Sequence, residues 1–184
     1  MSRKYYFKCT DCGAEFHDAD FMYLCPFCAA KNKPGQPPKG VLKTLYDFDE
    51  LKNQYQKDHS LFISQQWLPL LPIEKAESLG HLAAGNTPLI PVTEFNGEKL
   101  SFNLALKDDS RNPTFSFKDR ASVLASAYAK EHGIDTIIAA STGNAGSSLA
   151  GICASQKQKA IICVPAAAPK AKLTQILMYG AQIV

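Results

Sequence analysis

The sequence predicts an α/β protein: an open, doubly wound parallel sheet in three αβα layers, preceded by a small metal-binding module. Two observations carry that reading. Four of the six cysteines fall within the first thirty residues, and beyond Gly85 short apolar runs alternate with helix-forming stretches. Strand, helix, strand, helix at short spacing implies crossover connections and a parallel sheet buried on both faces.

Taken in order, the first element is the cysteine module. Cys9-x-x-Cys12 and Cys25-x-x-Cys28 are separated by a twelve-residue spacer, the arrangement in which two tight turns bring four thiolates around one tetrahedral zinc. Gly13 supplies backbone freedom for the first turn and Pro26 constrains the second. With four cysteines present, His17 and Asp18 are expected to be solvated and not ligands. A closed shell of four thiolates stabilises a module too small for a core of its own and performs no chemistry, so the zinc is structural. The stretch AAKNKPGQPPKG, 29–40, reads as a linker, and 41–46 as a short strand closing the module, which with its linker spans 1–46.

A connector, 47–84, follows. Asp47 or Asp49 can cap a helix carrying Phe48, Leu51, Tyr55 and His59, and the proline-rich Trp67–Pro72 stretch reads as extended chain. The α/β domain occupies 85–184. Strands are expected at 100–106, 136–140 and 160–164, and helices at 117–132, 145–156 and 170–179, the first and last stopped by Gly133 and Gly180. The final residues, Ala181 to Val184, read as a further strand entering the sheet, so the domain is expected to be incomplete.

Composition narrows the function classes. With 46% hydrophobic and 20% charged residues in 184, the chain can bury a core. A net charge of +3 is too small to predict a polyanion partner, and in the first module Lys4, Lys8, Lys31, Lys33 and Lys39 are offset by Asp11, Glu15, Asp18 and Asp20; no nucleic acid is expected. No stretch reaches the roughly 18 apolar residues of a membrane span, and the charged start does not resemble a secretory leader. A cytoplasmic location and no membrane partner are therefore expected, and reduced thiols favour metal over disulfides.

Two segments carry chemistry. Asn112-Pro-Thr-Phe-Ser-Phe-Lys-Asp-Arg120 runs into a helix, placing Lys118 where the helix dipole opposes its charge. That field, with burial among Phe115 and Phe117, would favour the neutral amine needed to condense with a carbonyl. A surface lysine paired with Asp119 is the alternative. Ser141-Thr142-Gly143-Asn144-Ala145-Gly146 follows a strand and opens the next helix, so its N–H groups and side chains face the crevice where an anionic ligand would bind. An ordinary loop capped by Ser141 or Thr142 is the alternative there. A dinucleotide fingerprint, a P-loop and a nucleophile elbow all fail on spacing.

With Gly85-Asn-Thr-Pro-Leu89 upstream, these motifs resemble the fold-type II pyridoxal-phosphate enzymes, and among them the threonine synthases, some of which also carry an N-terminal cysteine ribbon. The resemblance implies that Lys118 forms the internal aldimine with pyridoxal phosphate, that Asn144 hydrogen-bonds the ring 3′-oxygen, that Ser141 and Thr142 hold the carboxylate of a small amino-acid substrate, and that Phe117 packs beside the cofactor. It implies conversion of O-phospho-L-homoserine and water to L-threonine and phosphate. Related β-eliminating or β-replacing enzymes (cysteate synthase, threonine or serine dehydratase) and a non-catalytic zinc-ribbon binding module are the alternatives. The chain departs from the family pattern where Phe115 and Ala121 replace glycines. The family's glycine-rich phosphate loop and the hydroxyl facing the pyridine nitrogen follow the region present here, and members need roughly 300 residues. An N-terminal portion of such an enzyme is therefore expected; an oligomer is compatible with the sequence.

Overall fold

The computed structural model describes residues 4–17, 22–56, 58, 60 and 67–184. Asp18, Asp20 and His59 lie outside the described residues. The chain divides into two compact units, 1–76 and 77–184.

In the first unit β1 (Tyr5–Cys9) is the central strand of an antiparallel sheet, flanked by β2 (Glu15–Phe16) and β3 (Leu42–Tyr46). Tyr5, Phe7 and Cys9 alternate inward with Tyr6 and Lys8 between them, the period a half-buried strand requires. A turn closes behind Cys9: Gly13 N donates to Cys9 O at 3.1 Å, with Gly13 at φ +75°. Pro26 opens the four-residue α1 (Pro26–Ala29), where its missing N–H is no loss. Asp47, not Asp49, caps α2 (Phe48–Tyr55), accepting from Asp49 N at 3.1 Å and Glu50 N at 2.9 Å. The stretch expected to be extended instead forms a 3-10 turn at Leu68–Leu70, because Trp67 turns the chain with φ +61° and the Leu68 carbonyl accepts from Leu71 N at 3.1 Å. Lys4 Nζ also donates to Leu68 O at 2.8 Å, and to Ile73 O.

The second unit begins with a hairpin that contains the expected 100–106 strand but takes it out of the parallel sheet. β4 (Leu89–Phe95) and β5 (Glu98–Lys107) pair antiparallel, Phe95 opposite Glu98, so the 100–106 segment belongs to a ribbon and not to the parallel sheet. The cause is local. Asn96 and Gly97 form the two-residue loop with φ of +52° and +83°, the left-handed pair whose twist matches a hairpin.

The parallel sheet is β6 (Thr136–Ala140), β7 (Lys159–Cys163) and β8 (Gln182–Ile183), in that order. α3 (Asp119–Glu131) precedes β6, α4 (Asn144–Ser155) joins β6 to β7, and α5 (Lys170–Met178) joins β7 to β8. Leu149, Ala150 and Cys153 of α4 and Ile176 of α5 bury Ala160 and Ile162 of β7, with Ile137, Ala139 and Ile183 packed beside them. Doubly wound, three-layer architecture is not what these residues form. Strand order advances in one direction, and successive right-handed crossovers then place both connecting helices on the same face. α3 packs against α4, while Ile138 on the opposite face is 64% exposed. Among the described residues the sheet is singly wound and covered on one side.

Candidate active site

Hydrogen bonds tie the first two sequence motifs into one structure. The buried Asn112 side chain accepts from Gly85 N at 2.8 Å and donates to Asp109 O at 2.9 Å. Asp109 accepts from Thr87 Oγ1 at 2.6 Å and from Arg120 twice, Nε at 3.0 Å and Nη2 at 2.9 Å. Arg120, misplaced by helix-dipole reasoning alone, is matched by this two-pronged carboxylate. The guanidinium, and after it the Thr87 hydroxyl, hold the Asp109 carboxyl down to about 2, while Asp109 raises Arg120.

Lys118 is the residue from which α3 starts. Its N–H donates to Ser116 Oγ at 3.1 Å, and its carbonyl accepts from Ser122 N at 3.0 Å, so helical pairing begins two residues after the expected Phe117. The side chain is exposed, with Nζ 5.9 Å from the centroid of the Phe117 ring. The expected burial among aromatic rings is absent: Phe115 is 75% and Phe117 61% exposed. The reason for Phe115 is its backbone, since Phe115 N closes a turn onto Asn112 O at 2.8 Å and its φ of +61° turns the ring outward. That left-handed φ suits glycine, the residue the family resemblance led one to expect there. Ala121 lies within the regular helix. Asp119 is no surface partner for Lys118. It is fully buried and accepts from Thr114 N at 2.6 Å, from Thr114 Oγ1, and from Ser148 Oγ at 2.5 Å.

The second loop leaves β6 with Ser141 N donating to Cys163 O at 3.1 Å. Ser141 Oγ accepts from Gly143 N at 3.3 Å and Gly146 N at 3.0 Å, a capping role that leaves the hydroxyl proton for another acceptor. Thr142 and Asn144 are exposed. Asn144 Oδ1 accepts from Lys172 Nζ at 2.6 Å, and Lys172 also donates to Gln175 Oε1 at 3.2 Å. With its oxygen engaged, the Asn144 carboxamide presents its N–H groups, the polarity a phenolate oxygen requires. Gly146 seats the helix on the sheet: a Cβ there would stand 3.0 Å from both Ile162 Cγ2 and Ser141 O.

Lys118 and Asn144 come to one end of the unit through the packing of α3 against α4. Ser122 Oγ is 2.7 Å from Ser148 Oγ, and farther along Ser126 Oγ donates to Gln158 Oε1 at 2.5 Å. Rising numbers pair with rising numbers, so α3 and α4 run parallel with their N-termini together. α4 starts at the carboxyl end of β6, the edge where open α/β sheets bind ligands. An amine, an amide donor and a helix N-terminus thus share this end, a donor set that fits an aldehyde-bearing anionic cofactor.

A separate cluster lies in the first unit. The Sγ atoms of Cys9, Cys12, Cys25 and Cys28 all fall within 4.8 Å of one another, with Cys9 to Cys28 at 3.9 Å and Cys12 to Cys25 at 3.7 Å. Tetrahedral zinc with Zn–S of about 2.3 Å sets an S···S edge of about 3.8 Å. Backbone N–H groups of Cys12 and Asp11 lower the Cys9 thiol to about 7, whereas burial pushes Cys28 up to about 12. Gly40 joins the two turns, its N–H donating to Asp11 Oδ2 at 2.8 Å and its carbonyl accepting from Cys25 N at 2.8 Å. His17 is exposed and stacked on Tyr6 at 4.4 Å, outside the cluster.

Residues 81–184 match the family model described as pyridoxal-phosphate dependent enzyme, more than half of the chain. The chain belongs to that family. It is similar to the threonine synthase of Methanocaldococcus jannaschii, 29% identical over 96% of this chain and 42% of that protein. The threonine synthase of Methanosarcina acetivorans is 31% identical over 97% of this chain, again 42% of the relative. The chain thus spans less than half the length of these curated relatives. Among solved structures, a hydrogen sulfide-producing enzyme from Fusobacterium nucleatum superposes with a TM-score of 0.51 at 29% identity, covering 58% of this chain and 38% of that one. O-acetylserine sulfhydrylase isoform 3 from Entamoeba histolytica gives 0.50 at 26% identity, covering 55% and 32%. The second unit therefore has the α/β architecture of fold-type II pyridoxal-phosphate enzymes. Among the described residues no helix is long and apolar enough to cross a membrane.

Asp109, Ser148 and Lys172 carry no signal in the sequence, and Thr87 and Asn112 lie in the quoted motifs without an assigned role. The roles of all five arise from contacts between segments.

Proposed function

We propose that this chain serves a threonine synthase-type reaction, in which O-phospho-L-homoserine and water yield L-threonine and phosphate. The observation that carries the reading is the parallel packing of α3 and α4, which gathers the Lys118 amine and the Asn144 amide at the ligand-binding end of the sheet. The threonine synthases similar to nearly the whole chain support the substrate assignment.

In this reading Lys118 would hold the cofactor through its aldehyde, and its Nζ, when free, would move protons at the substrate α and β carbons. Pyridoxal phosphate, when bound, supplies the electron sink for charge developing beside the α carbon. Asn144 donates to the ring 3′-oxygen while Lys172 holds its carbonyl oxygen. The Ser141 and Thr142 hydroxyls, with N–H groups at the start of α4, hold the substrate carboxylate, and the Phe117 ring packs beside the cofactor. The γ C–O bond would break to release phosphate, the γ carbon would take up the proton lost from the β carbon, and water would add its hydroxyl at the β carbon while its proton leaves with the phosphate. In the first unit Cys9, Cys12, Cys25 and Cys28 hold a structural zinc ion and form a zinc ribbon.

Borohydride trapping tests the lysine. Reduction in the presence of pyridoxal phosphate, followed by peptide mapping, is expected to place the adduct chiefly on Lys118 and to lose that peptide in Lys118→Ala; labelling spread evenly over exposed lysines would overturn the assignment. The two solved structures support a second reading, a β-replacement or β-elimination on a related amino acid. Turnover of O-phosphohomoserine to phosphate supports the first reading, whereas ammonia release from serine or threonine without phosphate chemistry supports the second.

A further inference from the structure

We infer that Asp119 is the positioning residue of this site: its buried carboxylate clamps the 112–118 turn onto Ser148 of α4 and so fixes the spacing between Lys118 and Asn144. The inference rests on the reading of Lys118 as the cofactor lysine. Asp119 has no exposed surface, yet it is the next residue to a side chain that faces solvent. Three donors converge on it, Thr114 N, Thr114 Oγ1 and Ser148 Oγ, two from the turn that delivers the lysine and one from the neighbouring helix. Ser148 stands four residues after Asn144, one turn deeper on the same face of α4. The path from Lys118 to Asn144 thus passes only through one peptide bond, the short Asp119 and Ser148 side chains and a single helical turn.

A second contact acts at the same place. Gly151, also on α4, leaves the space into which Thr114 packs; a Cβ there would come within 2.7 Å of Thr114 Cγ2 and 3.3 Å of the Tyr179 ring. The turn is therefore held against α4 by hydrogen bonds on one side of Thr114 and by close packing on the other. Stability alone would be served as well by an apolar pair at this helix contact, since buried polar groups contribute little net free energy once desolvation is counted. What the carboxylate adds is geometry. Its acceptors must meet donors from both segments at once, so the turn and α4 have one relative placement.

The test uses site-selective labelling. The chain and its Asp119→Asn, Thr114→Val and Thr114→Ser variants are treated with pyridoxal phosphate and borohydride, and the share of label on Lys118 is compared with that on the other lysines. Thermal midpoints are measured in parallel. Asn offers the Ser148 or Thr114 donors an N–H2 in place of one oxygen, and Val keeps the shape of Thr114 while deleting its hydroxyl. Both are expected to lower the Lys118 preference about tenfold. Thr114→Ser restores the hydroxyl and is expected to keep the preference. Gly97→Ala, at the distant hairpin turn, controls for stability: it lowers the midpoint and is expected to leave the preference intact. Should Asp119→Asn not fold, the Thr114 pair decides, because both of its members retain the backbone bond to Asp119. A wild-type preference in Thr114→Val, or one that follows the melting temperature across all variants, would overturn the positioning role. No preference for Lys118 in the wild type would instead bring down the reading of Lys118, and the inference with it.

Discussion

Asp109 shows how one side chain can be mute in the sequence and decisive in the structure. Nothing in DDSRNP marks it, because its partners, Thr87 and Arg120, lie 22 and 11 residues away. Lys118, Asn144 and Ser141 stand out in the sequence because residue type and the expected strand-to-helix position suggest a chemistry, and they are candidates on that ground. The exposure of Phe115 was not legible there, since it depends on a left-handed backbone at that residue. Asp109 also makes a prediction about pH. Its folded-state pKa of about 2 lies below the ordinary carboxylate value near 4, so the native state favours the ionised form. The stability it contributes is full above the unfolded value and is lost as pH falls through about 2. The gap in urea midpoint between the wild type and Asp109→Asn is expected to be constant above about pH 5 and to close between about pH 4 and pH 2. A gap that persists below pH 2 would mean that the ion pair is not its source.

Elements were read more reliably where one local signal dominates. The 136–140 strand emerges with the expected bounds, and α4 and α5 differ by a residue at their ends. The hairpin was missed although Asn96-Gly97 announces it, because the alternation of strands and helices downstream was extended one strand too far upstream. Gly97 at φ +83° should make the turn sensitive: Gly97→Ala is expected to destabilise the second unit by about 1 kcal/mol, read by urea denaturation. An unchanged midpoint would show that the turn can adopt another form. Coverage of the sheet was misjudged for a different reason. Whether a helix lies above or below depends on the direction in which strand order advances, and no local pattern encodes that direction.

At the scale of the whole molecule, the first unit buries Cys9, Cys25 and Cys28 together, with Phe16 and Leu42 packed against them among the described residues, apart from buried Tyr5, Phe7, Tyr55 and Ile73. Three thiols with two partly buried side chains supply little apolar area at this end of the sheet, so the proposed zinc would be the cluster's main support. Chelation, or Cys9→Ser with Cys12→Ser, is expected to remove bound zinc and to lower hydrogen-exchange protection in β1 to β3 by about a hundredfold or more, leaving β6 to β8 protected. Equal loss in both units, or none in the first, would contradict this assignment. The spacing of the cysteines made the cluster legible, because a ligand set is written in residue types. The common end of α3 and α4 was not, because it emerges only after packing. That alignment has an electrostatic consequence. Each helix start carries roughly half an elementary positive charge, and two placed abreast repel one another. An anion lodged at that end relieves the repulsion, so its occupancy and the cohesion of the two helices rise together, and the melting temperature of the second unit becomes a gauge of how full the site is.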